Sequence, residues 1–229
     1  MKLGIMQPYF FPYLGYWQLL ANVDKYVVYD DVTYIKGGWI NRNNFLVNGQ
    51  KNLLTMQLEK ASSYTLIKDI VIKDDFAKFL KTIEMGYKKA PFFEAVFSLL
   101  KEICQYPDRM LGRFLFNSHI KICDYLGIDT ELILSSSFGK NTELKGKDKV
   151  ISICKQLGAD EYINAIGGQV LYDKKEFAEN GIRLNFLQAN LRAYRQFKNE
   201  FVAGLSIIDI MMFNSKDEIK EMLNDFELV

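Results

Sequence analysis

MQPYFFPYLGYWQ, residues 6–18, carries six aromatic rings, two prolines and a glycine, directly after the short start KLGI. A core strand would alternate or stay aliphatic. A core helix would not hold Pro8 and Pro12, each of which removes a backbone donor and fixes φ. The stretch therefore reads as a shaped loop. Before it stands a strand, Lys2 to Met6, and after it a helix, Leu14 to Asn22, ending just ahead of the apolar run KYVVYDDV. Strand, loop, helix and second strand form the unit in which many α/β proteins bind a ligand at the strand's carboxyl end.

The composition is consistent with such a domain. A chain of 229 residues with 49% hydrophobic content supplies ample core for one large α/β domain, residues 1–229, without covalent staples. Cys104, Cys123 and Cys154 lie on apolar, helix-like segments without CxxC spacing and read as reduced core residues of a cytoplasmic protein. No signal peptide is expected, because MKLGIMQPYF breaks at a proline after a few apolar residues, and no apolar run reaches the roughly eighteen residues of a membrane span. The net charge of +1 gives no global attraction to DNA or RNA, so any RNA contact would need a local patch.

Outward from the first unit, RNNFLVNGQKNLLTMQLE from Arg42 holds Asn48-Gly49, a strong hairpin dipeptide, between extended flanks. IKDIVIK, Ile67 to Lys73, reads as a further strand, so residues 42–73 form a hairpin and strand insertion. A helical segment follows over 74–127. Its first helix is marked by Phe76, Phe79, Leu80, Ile83 and Tyr87, its second starts at Pro91, and its last stops at Gly127. Then come TELILSSS, DKVISICKQLGA, EYINAI, GGQVLYDKKEFAENG and IRLNFLQ, strands alternating with helices, which favour a mainly parallel sheet. Five polar-aromatic loops would meet at one edge of that sheet: MQPYFFPYLGY, YDDVTYIKGGWINRN, SSSFGKN, NAIGGQVLY and LQANLRAYRQF.

Candidate site residues come from these loops. Asp30 and Asp31 end a buried-looking strand, where a carboxylate serves as general base, orients an amine, holds a metal, or caps a turn. Lys36, Trp39, Asn41, Arg42 and Asn43 offer a flexible loop, a flat ring and a forked guanidinium suited to a diphosphate; the alternative is a hairpin lead-in. Gln7, Tyr9, Tyr13, Gly15 and Tyr16 belong to the first loop. Asn164, Gly167, Gly168 and Tyr172 stand where a strand hands over to a helix, although neither GxGxxG nor a P-loop lysine is present. Arg195 and Gln196 follow the last strand. His119, the single histidine, lies in a helical stretch and is either a base or a structural residue. One histidine and scattered cysteines assemble no zinc site, and no cofactor is implied. Ser206 and Asp209 read as a helix cap and its acidic partner, and the lysines of KGKDK, 145–149, as a solvated helix start or an RNA patch.

Five ordered motifs also resemble the WbqC-like proteins: MQPYFFPYLGY, YDDVTYIKGGWINRN, YKKAPFF, LGADEYINAIGGQVLY and LSIIDIM. The resemblance runs from Gly4 to about Phe213. It implies a place in bacterial surface polysaccharide assembly, notably O-antigens, and attachment of glycine or another aminoacyl group to an amino sugar. The first unit alone is similar to nucleotidylyltransferases and pantothenate synthetases, whose loop carries His-x-Gly-His where this chain has Tyr13-Leu14-Gly15-Tyr16. Neutral phenols cannot replace two histidines as cationic clamps on a leaving phosphate. Three readings stay open: an aminoacyl transferase acting on a nucleotide-linked amino sugar, with aminoacyl-tRNA as one donor; an ATP-using nucleotidyl-transfer or ligase enzyme; and a non-catalytic nucleotide-sugar-binding protein.

Overall fold

KLGIM, KYVV and EYINA are buried along most of their length, as strands covered on both faces must be. The computed structural model describes residues 1–139, 143–198 and 200–229. In chain order its elements are β1 (Lys2–Met6), α1 (Leu14–Ala21), β2 (Lys25–Val28), β3 (Arg42–Val47), β4 (Gln50–Thr55), β5 (Leu58–Glu59) and β6 (Val71–Ile72). Three helices follow, α2 (Ala77–Tyr87), α3 (Phe93–Cys104) and α4 (Leu111–Leu126). The chain then returns through β7 (Glu131–Leu134), α5 (Gly146–Leu157), β8 (Glu161–Ala165), α6 (Lys174–Glu179) and β9 (Arg183–Ala189). It closes with α7 (Ile207–Phe213), α8 (Lys216–Leu223) and β10 (Phe226–Leu228).

The main sheet runs β10-β9-β8-β1-β2-β7. All neighbours pair in parallel except β10, which runs antiparallel to β9. The expected mainly parallel sheet therefore forms, and β10 adds an edge strand that the short tail did not announce. From β1 the chain moves through β2 to β7, then returns to β8 on the other side of β1. Such a reversal of winding opens a crevice at the carboxyl ends of the two central strands.

Two cores follow from this winding. α1, α4, α7 and α8 join the hairpin, α2 and α3 in a large aromatic core on one face. α5 and α6 cover the other face with Val150, Ile153, Cys154 and Phe177 against Leu3, Ile5, Val27, Tyr162 and Leu184. Both Asn48 and Gly49 have positive φ, and β3 pairs antiparallel with β4 around them, as the dipeptide requires. Ile67 to Lys73 departs from the expected strand. Ile67–Asp69 is a 3-10 turn, and only Val71–Ile72 pairs, with Leu58–Glu59. Pro91 likewise lies ahead of α3, which begins at Phe93. Gly127 ends α4 in the left-handed region, as read.

Candidate functional site

The strand registers align Met6, Val28 and Leu134 at the ends of β1, β2 and β7, and β8, ending at Ala165, runs parallel beside β1. The loops that follow therefore leave the same edge of the sheet. β1 hands over to α1 on one face and β8 to α6 on the other, so residues 7–13 and 166–172 leave this edge on opposite faces and flank the place where a reversal of winding opens a crevice. Residues 29–41 flank the first wall, since the Phe10 N–H donates to the Trp39 carbonyl at 3.1 Å. Of the SSSFGKN loop, Lys140 and Asn141 lie outside the described residues.

Beyond the end of β2 stands the charged cluster of this edge. Asp30 is buried, and its carboxylate accepts from the Ser136 N–H at 2.8 Å and the Ser136 hydroxyl at 2.7 Å. Burial raises its pKa, and the Ser136 bonds oppose that rise. Gly112 of α4 approaches so closely that an added Cβ would stand 3.1 Å from the Asp30 Oδ2. Asp31 accepts from the Ser135 hydroxyl at 2.6 Å and pairs with the Lys149 ammonium at 3.2 Å. That ammonium also lies 5.0 Å from the centre of the Tyr29 ring. Carboxylates, an amine and hydroxyls thus meet at the strand ends beside the crevice.

Lys149 was missed in the sequence, where KGKDK reads as a solvated patch. A signal existed. Lys149 lies one helical turn before Ile153, on the stripe that faces the sheet, and its stem is long enough to carry the charge from there to the edge. Tyr29, Ser135 and Ser136 had no spacing that could single them out.

The first loop is mostly core. Phe10, Phe11, Tyr16 and Trp17 are buried, leaving Gln7, Tyr9 and Tyr13 partly open. Tyr16 corrects the expectation of a ligand contact: its ring is covered, and its hydroxyl donates to the Gln7 carbonyl at 3.1 Å. Burial raises the Tyr16 phenol well above its ordinary range, so it stays neutral. Gly15 makes room for a side chain, since an added Cβ would lie 2.7 Å from Cε2 of Tyr13. The Tyr13 ring thus lies against Gly15 in the first turn of α1.

His119 is likewise corrected. It is fully buried, stacked on Tyr16 at 5.3 Å and tilted against Trp17 at 5.4 Å. Neither ring nitrogen has a hydrogen-bond partner among the described residues. Burial pushes its pKa down to about 4, so the ring is neutral and inside the core.

The second loop also turns inward. Arg42 donates to the carbonyls of Gly37 and Gly38, bracing the turn that the sequence assigned to a diphosphate. Asn41 bonds the Tyr34 hydroxyl and the Met56 carbonyl, and Asn43 donates to the carbonyls of Phe10 and Phe11. These two asparagines are buried braces, which corrects their reading as ligand contacts. Lys36 and Trp39 stay exposed.

On the opposite wall Asn164 is buried with its amide beside Gly168, where an added Cβ would meet Nδ2 at 2.6 Å. Gly167 is open, and Tyr172 packs edge-on against Tyr162 and Phe177. Gln196 is a further correction. Its amide is buried on Asp209 at 2.6 Å, while Arg195 is exposed and bonds the Phe197 carbonyl. A concavity of about 520 Å³ lies elsewhere, between β4 and the start of α2. Asp74 within it gives its carboxylate to the N–H groups of Gln57 and Phe76, a structural use.

No helix among the described residues is long and apolar enough to cross a membrane. The chain belongs to the WbqC-like protein family, which matches residues 7–221. It is 30% identical over 232 residues to an uncharacterized protein of Mycobacterium tuberculosis, Rv1507c, with 97% of each chain covered. No solved structure matches it.

Proposed function

We propose that this WbqC-like protein transfers an aminoacyl group, glycyl in the simplest case, to the amine of a nucleotide-linked deoxyamino sugar. The observation that carries this reading is the Asp31 carboxylate, which stands at the end of β2 beside the crevice and already holds an alkylammonium, that of Lys149. A carboxylate so placed can orient a substrate amine and take its proton during attack. The amine nitrogen attacks the carbonyl carbon of the donor ester; the N–C bond forms and the ester C–O bond breaks. The amine's proton passes to Asp31 and then to the departing alkoxide, so the donor leaves as an alcohol. Lys149 is the positioning residue of this scheme. Tyr13 and Trp39, both half-exposed, supply flat faces for sugar or base.

The donor arrives already activated, on a carrier such as aminoacyl-tRNA. Tyr13 and Tyr16 stand where related loops would place cationic histidines, and Tyr16 is neutral and buried, so the loop offers no clamp for the phosphates of ATP. Mass spectrometry of a nucleotide-linked amino sugar incubated with the protein tests this. Product should form with glycyl-tRNA and not with glycine plus ATP, and Asp31→Asn should lower its rate about a hundredfold with sugar binding retained. Product tied to AMP release without a carrier would transfer the reading to the ATP-dependent class. Binding of the sugar with neither donor used would make the protein a nucleotide-sugar-binding component.

A further inference from the structure

The crevice mouth exposes aliphatic side chains in an unusual concentration. On the β8 wall, Val170 is 88% and Leu171 66% exposed, with Ile166 partly open beside them. In the loops that follow β2 and β1 at the same sheet edge, Ile35, Trp39 and Tyr13 are also exposed. Monomeric surfaces scatter such residues singly; a cluster in loops at one end of a sheet marks an interaction surface.

Charge selects its partner. Lys36 stands next to Ile35, and Lys174 and Lys175 follow Leu171 closely; none of the three makes an ion pair among the described residues. Of the acids at the same end, Asp30 is buried, Asp31 is paired with Lys149 and Glu176 with Lys147, which leaves the exposed Asp173, the cap of α6, as a negative charge beside Lys174 and Lys175. Asp148 lies in the first turn of α5 and Glu143 just ahead of that helix, where the exposed Lys145 accompanies them. A second copy of the chain would bring like-charged lysines together. Nucleic acid would satisfy the lysines but gains no stacking from Val170 or Leu171, which have no ring faces. A bilayer surface satisfies both, taking aliphatic tips below the headgroups, tryptophan and tyrosine at their level, and lysines against anionic lipid.

We propose that the rim of the crevice docks reversibly onto an anionic phospholipid bilayer, with the Ile166–Leu171 tip and the Ile35–Trp39 turn inserted. Docking uses Trp39 and Tyr13, the rings also assigned to the sugar, so the docked and the substrate-bound states alternate; vesicle binding is read without any reaction and so fails or succeeds separately from the transfer chemistry. Trp39 reports it: the chain has two tryptophans, and Trp17 is buried with its indole bonded to the Pro12 carbonyl.

The full chain is mixed with phosphatidylcholine vesicles, with or without about 30% phosphatidylglycerol, at about 0.1 M salt. The expected result is co-sedimentation with the anionic vesicles alone, a blue shift of tryptophan emission, and release by high salt. The double variant Val170→Ser, Leu171→Ser should cut vesicle binding about tenfold, whereas Met85→Ser, an exposed apolar residue on α2, should not. Failure to bind anionic vesicles overturns the proposal, as does full binding by the double variant or an equal loss in Met85→Ser. RNA binding without vesicle binding would assign the rim to nucleic acid. A dimer abolished by the double variant would assign it to a second copy.

Discussion

The two walls of the crevice are built in opposite ways. The β1 wall is tied down by four residues on three elements. Asn43 donates to the carbonyls of Phe10 and Phe11, the Ser206 hydroxyl to Phe11, and the Ile207 N–H and the Trp17 indole to Pro12. The β8 wall is held by local bonds, the N–H groups of Leu171 and Tyr172 to the Gly168 carbonyl, and exposes its aliphatic tips. A proline-rich aromatic loop has few ways to satisfy its own backbone, so its carbonyls recruit side chains from β3, α1 and the α7 cap. The 3-10 turn at Ile166–Val170 satisfies itself and needs no such help. One wall is therefore held from distant elements, and the other by its own bonds and the packing of Tyr172 on Tyr162 and Phe177.

The largest expected effect tests the support of the β1 wall. Asp209 of α7 is buried and accepts from Tyr87 at 2.9 Å, Tyr194 at 2.6 Å and Gln196 at 2.6 Å. Asp209→Ala should cost about 3 kcal/mol or more in urea unfolding, because three donors lose their acceptor in the interior. A loss below about 1 kcal/mol would show that water reaches this cluster and that the wall is looser than described.

His119 beneath the same wall supplies a pH signature. In the unfolded chain its imidazole takes a proton near its ordinary value of 6.5, whereas the folded protein refuses it until about 4. The unfolded state binds more protons between those values, so stability falls as pH drops from 6.5 and levels off below 4, by up to about 3 kcal/mol. Asp30 and Asp209, whose pKa values burial raises, act in the opposite sense in both proteins. The difference between wild type and His119→Phe therefore isolates the histidine, and the variant should lose this acid dependence. Parallel stability curves from pH 7 to 4 would mean that His119 exchanges protons with solvent.

Asn43→Ala should cost about 2 kcal/mol, since two buried carbonyls of the first loop lose a donor. Thermal unfolding should register the loss, and faster proteolysis at residues 7–13 would locate it. The smallest effect belongs to the β8 wall. Gly167→Ala meets nothing within 4 Å and should change stability by about 0.5 kcal/mol or less. Gly168→Ala must displace the Asn164 amide at 2.6 Å, so it should lower ligand affinity where Gly167→Ala does not. Equal affinities for the two variants would place the ligand away from Asn164.

Much of the framework was legible because it depends on period and turn chemistry. Asn48-Gly49 implied a hairpin through its positive φ, and strands alternating with helices implied a parallel sheet. Ser206 was readable as a cap and accepts from the Ile208 N–H as expected. Asp209 was not: read as the cap's acidic partner, it is the acceptor for three side chains from distant segments. Its partner Tyr87 ends α2 and its partner Tyr194 lies in the loop after β9, and nothing in the local spacing joins them.

Sequence alone determined most of the elements of the main sheet and its covering helices, and the resemblance to the WbqC-like family, because local backbone preferences and ordered motifs are properties of short segments; the 3-10 turn at Ile67–Asp69 and the edge strand β10 it did not. Tertiary structure alone decided which rings of MQPYFFPYLGYWQ are core and which face the crevice, since an irregular loop has no period to assign its side chains to a face. It also decided that Arg42, Asn41 and Asn43 brace backbone, that His119 is sealed, and that Lys149 reaches Asp31. Each of these depends on which distant segment arrives beside a polar group, and a buried donor or acceptor takes whatever partner the packing delivers.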